Sequence, residues 1–300
     1  MKKLLYYILF VLLGVVVIDV ANRMVCSYTF NHLSEEDKIA DEYKFVVSTH
    51  QSDILIIGAS RAVHHYDPSM IEQGTGLSCY NAGYDGTGII HNYLCLVKAL
   101  QNGPVRTVIL DLSSSQLGKE WNIDRLSQVF PYYWSNDSVK HLVDETLPLS
   151  QRMFMFSSLV QYNSNLYDII RSSITKSEAK KGYLPLPASQ QIPKQLFREH
   201  IDTTTFKPYP KAEEMYFRIM ALCRAHGARL IVSYSPSLSN DTSFIRYLQN
   251  TTSSHNVVFW NDGMMKSVKK REYFKDATHL NVTGATIYTD TVVKRLMKIQ

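Results

Sequence analysis

Two short stretches, far apart in the chain, carry side chains that could do covalent chemistry together. The first is Asp53-Ile54-Leu55-Ile56-Ile57-Gly58-Ala59-Ser60-Arg61, an apolar run that stops at small residues and a serine. The second is Phe274-Lys275-Asp276-Ala277-Thr278-His279-Leu280-Asn281, followed by an apolar, helix-like tail. An aspartate three residues before a histidine can hold the imidazole in one tautomer while the other ring nitrogen faces a hydroxyl. A carboxylate, a base and a nucleophile so arranged form the constellation that activates serine. Each half is weak alone, since Ser60 equally suits the cap of a following helix and Asp-x-x-His suits a surface turn. Together, in this chain order, they point to acyl transfer with Ser60 as nucleophile, His279 as general base and Asp276 as its orienting group.

The elements around these residues support such a meeting. Four consecutive aliphatics at Ile54–Ile57 fit a strand buried on both faces. Gly58 and Ala59 allow a tight turn that leaves Ser60 at the strand's carboxyl end, where open α/β sheets build their sites. Further strands are expected at 77–82, ending at Gly83, at 105–111 after the breaker Asn102-Gly103-Pro104, at 228–234 and at 256–260. Helices are expected in part of 61–73, over 89–101, over 211–226 with Gly227 as its stop, and in the tail. The alternation argues for an α/β fold with a doubly wound, flavodoxin-like, five-stranded parallel sheet and helices on both faces.

Gly83 has no Cβ, so its N–H can approach a substrate closely and serve as an oxyanion donor; an ordinary strand-to-helix turn has an equal claim on it. The glycine-punctuated loop Tyr84-Asp85-Gly86-Thr87-Gly88 lacks both the P-loop ending and the dinucleotide fingerprint. With Gly58-Ala59-Ser60, Asn81-Ala82-Gly83 and Asp276-Ala277-Thr278-His279 in view, residues 53 to about 290 resemble an SGNH (GDSL-like) hydrolase or acyltransferase, interrupted by a large insertion. The resemblance implies Ser60, Asp276 and His279 as catalytic residues, the Ser60 and Gly83 amides as oxyanion hole, and esterase or acyltransferase activity. Two features depart from the family's pattern. Ala59 replaces the aspartate usual in the first block, and no Gly-x-Asn-Asp block supplies an oxyanion asparagine. Asp111 and Ser113 fall where that block belongs, but neither has its side chain, and both stay outside the catalytic set.

The chain has 300 residues, enough for one α/β domain with an insertion. Its formal net charge of +5 is mild and its basic residues are dispersed, which does not suggest nucleic-acid binding. Lys2 and Lys3 precede an apolar run from Leu4 to Ile18, interrupted at Asp19 and continued by Val20-Ala21. At ~1.5 Å per residue such a helix just spans a bilayer if Asp19 sits in the far interface. A cleaved signal peptide is the rival reading, but 19–26 offers no convincing Ala-x-Ala site. The expectation is therefore an uncleaved single-pass anchor over 1–26 with a cytoplasmic amino terminus. A stalk over 27–50 and an extracytoplasmic domain over 51–300 follow it.

Residues 116 to about 210 mix aromatic and polar types without a strong strand, with helical patterns at 138–146 and 150–173. An insertion of this size commonly caps the carboxyl-end site. Cys26, Cys79, Cys95 and Cys223 show no paired spacing, nothing resembles a metal site, and no cofactor is expected. His64, His65, His91, His226 and His255 have no comparable Asp partner in sequence and read as surface or packing residues. Membrane tethering favours an acylated cell-envelope glycan as partner. The competing class is a catalytically inactive envelope protein that kept the fold and binds glycan or an assembly partner.

Overall fold

The computed structural model describes residues 2–31, 51–118, 124–134, 136–163, 180–188, 205–239 and 241–299. Contacts divide these into two units: residues 2–31 with 126–163, and residues 51–118 with 180–299.

In the first unit, α1 (Lys2–Asn31) is a single helix, long and apolar enough to cross a membrane over Lys2–Tyr28. It runs past the expected boundary at residue 26 because no glycine or proline interrupts 19–31. Thus 27–31 are helix rather than stalk, and 32–50 lie outside the described residues.

The second unit contains the sheet. Its first elements are β1 (Ile54–Gly58), α2 (Ser60–His65), α3 (Pro68–Thr75), β2 (Cys79–Asn81), α4 (Ile89–Asn102), β3 (Thr107–Asp111) and the one-turn α5 (Ser114–Leu117). The partial helix expected within 61–73 is two helices that part at Tyr66-Asp67, because a residue before proline is held extended; Asp67 has φ −93° and ψ 107° and caps α3 by accepting from Ser69 N.

Between these halves the first unit adds α6 (Asp137–Thr146), α7 (Leu149–Arg152) and α8 (Ser158–Asn163), with a 3₁₀ turn at Met153–Phe156 between the last two. The single helix expected from 150 is therefore three short pieces, and 164–173 lie outside the described residues. The stretch expected as one insertion is divided as well: described residues 126–163 group with α1, and 180–188 group with the sheet.

The sheet unit resumes with α9 (Pro210–Ala225), β4 (Arg229–Tyr234), α10 (Thr242–Ser254), β5 (Val258–Asn261) and α11 (Val282–Leu296). All neighbouring strands are parallel in the order β2-β1-β3-β4-β5, the doubly wound, flavodoxin-like order. β1 and β3 are buried along their whole length, as parallel strands covered on both faces must be. One face, with Ile54, Ile56, Ile109 and Ile231, shares a core with Ala62, Ile71, Tyr288, Val292 and Leu296 of α2, α3 and α11 and with Tyr66 between α2 and α3. α4 packs on β1 and α9 on β4.

In this order the chain leaves β1 for one side of the sheet and returns to β3 on the other, so a crevice opens at their carboxyl ends. Gly58 stands opposite Asp111 in register, and two residues further along each strand come Ser60 and Ser113. A Cβ on Gly58 would lie 2.7 Å from both the Asp111 carbonyl oxygen and the Ala62 Cβ, so only glycine lets β1 turn this tightly into α2.

Candidate active site

Ser60 is the first residue of α2, where a backbone N–H has no acceptor within the helix. Its Oγ lies 2.7 Å from His279 Nε2. On the other side of the ring, His279 Nδ1 is 2.8 Å from Asp276 Oδ2 and 3.0 Å from Oδ1. A carboxylate only accepts, so Nδ1 carries the proton and Nε2 presents its lone pair to the Ser60 hydroxyl. The folded chain thus joins all three residues singled out by sequence, as hydroxyl, imidazole and carboxylate in a row.

Asp276 is fixed by its own turn. Its Oδ1 accepts from Thr278 N at 2.8 Å, His279 N at 3.0 Å and Thr278 Oγ1 at 3.1 Å. Burial would raise this carboxyl, but the bonds from the His279 ring and from the Thr278 and His279 amides outweigh it and hold the group well below the usual carboxylate range.

The His279 loop is clamped at both ends. Lys275 N donates to His279 O at 2.8 Å, and Phe274 pairs with Leu280 in an antiparallel bridge. Asn281 then caps α11, its Oδ1 accepting from Thr283 N and Gly284 N at 3.1 Å each while Nδ2 donates to Glu272 O at 2.6 Å.

His65 makes the link to α2. Its Nε2 accepts from Leu280 N at 3.0 Å, so Nδ1 bears the proton and donates to Ser235 Oγ at 2.9 Å. Burial, aided by Arg61, pushes this imidazole well below its ordinary value, which keeps it neutral. Sequence reading took His65 as a surface or packing residue. It is fully buried, and through Leu280 it joins α2, which begins at Ser60, to the loop that carries His279. Its partners lie at 235 and 280, which no local pattern discloses.

His64 sits beside the site, with its ring centroid 5.5 Å from that of His279. Its Nδ1 is 2.7 Å from Leu184 O, and its Nε2 is 3.2 Å from Asp85 Oδ1, a carboxylate partner that sequence spacing had not shown. His91 is buried against Cys95, and burial lowers its imidazole to about 4. His226 and His255 close helices at Leu222 O and Thr251 O.

Gly83 is placed differently from the expectation. Its N–H donates to Asn81 Oδ1 at 3.0 Å, and the residue does not line the cavity at Ser60. A Cβ here would meet the Ala62 Cβ at 2.7 Å and Val63 N at 2.9 Å. The glycine thus admits α2 against the turn after β2, and its amide already has an acceptor. Asn81 also donates through Nδ2 to Ala62 O and Tyr66 O, so this block secures the helix of the nucleophile.

A cavity of about 340 Å³ opens over Ser60 and His279. Its walls come from the carboxyl ends of β3 and β4: Ser113, Ser114, Ser115, Tyr234, Ser237 and Ser239. The hydroxyls give it hydrogen-bonding capacity, and Arg61 and Asp241 bring one charge of each sign to its lining. Ser113, left outside the catalytic set, lines this space, whereas Asp111 lies beneath it.

Asp111 pairs there with Arg61, at 3.2 Å from Oδ1, and accepts from the Tyr66 hydroxyl at 2.6 Å through Oδ2. The Arg61 guanidinium also donates to Leu112 O and to Ser235 O, and stacks 4.5 Å from the Tyr234 ring centroid. Burial raises the Asp111 carboxyl, and Arg61 draws it back only in part. Arg61 follows the nucleophile directly, which was the available signal for it. Among the described residues no group of three His, Cys, Asp or Glu side chains is placed to hold a metal ion.

The site therefore consists of a serine, an imidazole and a carboxylate at the switch point of a parallel sheet. No family model matches the chain, and no curated protein matches it. A solved structure from Streptococcus pneumonia, provisionally described as a platelet activating factor, is similar over 91% of this chain and 98% of its own at 14% identity, with a TM-score of 0.40. At that distance the likeness carries no argument about function.

Proposed function

We propose that the protein is a serine-dependent esterase or O-acyltransferase acting on acyl esters, acetyl esters first among them, of a cell-envelope glycan. One observation carries the reading: Ser60 Oγ, His279 Nε2 and Asp276 are joined by contacts of 2.7 and 2.8 Å. In the proposed cycle His279 Nε2 takes the Ser60 proton as Oγ attacks the ester carbonyl, and Asp276 supports the imidazolium so formed. The Ser60 amide faces the developing oxyanion. His279 returns the proton to the departing alcohol, leaving an acyl-serine, and then activates water or a sugar hydroxyl to release the acyl group.

The glycan reading draws on the hydroxyl-lined cavity and on α1, which in this reading anchors the domain outside the cytoplasmic membrane. Hydrolysis of an activated acetyl ester and of O-acetylated envelope polysaccharide by the full-length protein, compared with Ser60→Ala, tests the reaction. Loss of both activities in Ser60→Ala supports it, and full activity in that variant contradicts it. A second reading, a non-catalytic glycan-binding or assembly protein, gains from the Gly83 amide being bonded to Asn81 and from the missing oxyanion asparagine. Under that reading Ser60→Ala binds the polysaccharide as the parent does, and neither turns it over.

A further inference from the structure

The first unit carries a second membrane-directed feature besides the apolar helix. The uninterrupted apolar run Leu4–Ile18 rises only about 22 Å at ~1.5 Å per residue, short of the ~30 Å of a bilayer's hydrocarbon core. A helix crossing that core brings the level of Asp19 to Arg23 to its edge, where an unsatisfied carboxylate is costly. Asp19 is satisfied by its own unit: it accepts from Ser157 Oγ at 2.7 Å, Ser158 N at 3.1 Å and Leu159 N at 3.2 Å. Arg23 donates to Phe156 O at 2.8 Å. These bonds hold residues 156–159 beside the helix at that same level, and 149–155 lead directly into them.

Beside the exposed Ser150 and Gln151, this segment turns four large apolar side chains outward. Leu149, Met153, Phe154 and Phe156 are 66%, 60%, 59% and 63% exposed, while Met155 between them is buried. Trp134, half-exposed, donates from Nε1 to Met155 O and lies 5.0 Å from the Phe156 ring centroid. Large apolar side chains grouped on an otherwise polar surface mark an interaction site. A tryptophan beside them, level with the end of a membrane helix, matches the aromatic belt at a bilayer interface.

From this continuity we propose that Leu149, Met153, Phe154 and Phe156 form a collar that inserts into the leaflet at the carboxyl-terminal end of α1, extending the apolar surface beyond the uninterrupted run Leu4–Ile18. The collar rests on α1 spanning the bilayer, and the test separates the two claims.

Nitroxide labels at Phe154→Cys, Phe156→Cys, Leu9→Cys and Lys294→Cys are compared in the full chain in phosphatidylcholine nanodiscs; the four native cysteines are buried. Collisions with oxygen, which concentrates in lipid, and with a water-soluble nickel chelate report each label's surroundings. Labels at 154 and 156 should favour oxygen, as at 9, and invert the ratio found at 294. If 154 and 156 match 294 while 9 favours oxygen, the collar is overturned and the anchor stands. If 9 also favours the chelate, the anchor falls and the collar with it. Labels at 154 and 156 shielded from both reagents would mean that protein covers the patch, which overturns the lipid assignment as well.

Discussion

Asp276 acts on the imidazole in two ways, by fixing the Nδ1 proton and by supporting the charge that forms on the ring. Asp276→Asn keeps the shape but presents an amide to Nδ1, and loss of the equivalent carboxylate in such triads costs about 10⁴ in kcat. We expect a loss of that order in activated-ester hydrolysis. The variant also has a pH signature. A carboxyl whose folded value lies below its unfolded value of about 3.9 contributes stability that is complete above the unfolded value and lost as pH falls through the folded one. Denaturant titrations should therefore show the carboxyl's share of the parent-minus-variant difference disappearing as pH falls below about 4.

His65 has the opposite charge logic. It is buried neutral, so the unfolded chain binds a proton that the folded chain refuses. Stability from this source is present above the ordinary imidazole value of about 6.5 and falls as pH drops below it, by at most about 1.4 kcal/mol per pH unit. His91, lowered to about 4 by burial, adds a second slope of the same sign. His65→Gln should make the fall in stability between about pH 7 and 5 shallower, read by the same titrations.

The three residues of the proposed triad were legible in the sequence because Asp276 and His279 lie within one turn and Ser60 ends an unmistakable strand. His65 was not, since its two bonds reach residues 235 and 280. Gly83 was misjudged because the side chain that takes its N–H belongs to Asn81, in the very block that suggested an oxyanion role.

At the scale of elements, the register of β1 with β3 and the cap of α11 place the reacting groups. Asn281 ends the loop of the base and begins α11, and it satisfies two helix amides and one carbonyl. Asn281→Ala should lower stability by about 1–2 kcal/mol, the upper range for a lost N-cap. It should also reduce turnover by freeing the His279 loop, measurable as a lower kcat with little change in KM. A purely structural cap would alter stability alone.

β1, β3 and β4 could be read directly, because parallel strands buried on both faces are continuous aliphatic runs. Ends were less legible: β5 begins at Val258 rather than 256, since Asn256 takes a left-handed conformation with φ 55°. The helix expected from 150 looked continuous because its apolar residues suit a helical stripe. It restarts at Ser158, where the first helix amides, of Ser158 and Leu159, and the Ser157 hydroxyl bond Asp19 on α1, a partner 138 residues away in the chain for Ser157.

For the whole molecule, composition and periodicity gave the α/β class and the apolar amino-terminal helix. The grouping of 126–163 with α1 was beyond them, because it rests on polar bonds made across the sequence. A helix long and apolar enough to cross a membrane should keep the full-length protein in the membrane fraction through washes with high salt and alkaline carbonate, with release only by detergent. Release by salt alone would contradict an integral anchor.

The account depends most on Ser60 being a nucleophile made reactive by His279. A fluorophosphonate probe, which forms a stable bond only with an activated serine, reads that property without knowledge of the substrate. Peptide mapping of the labelled, folded protein should find the adduct on Ser60, with labelling abolished in Ser60→Ala and strongly slowed in His279→Ala. A folded protein that stays unlabelled, or that reacts equally well with His279 removed, would contradict it.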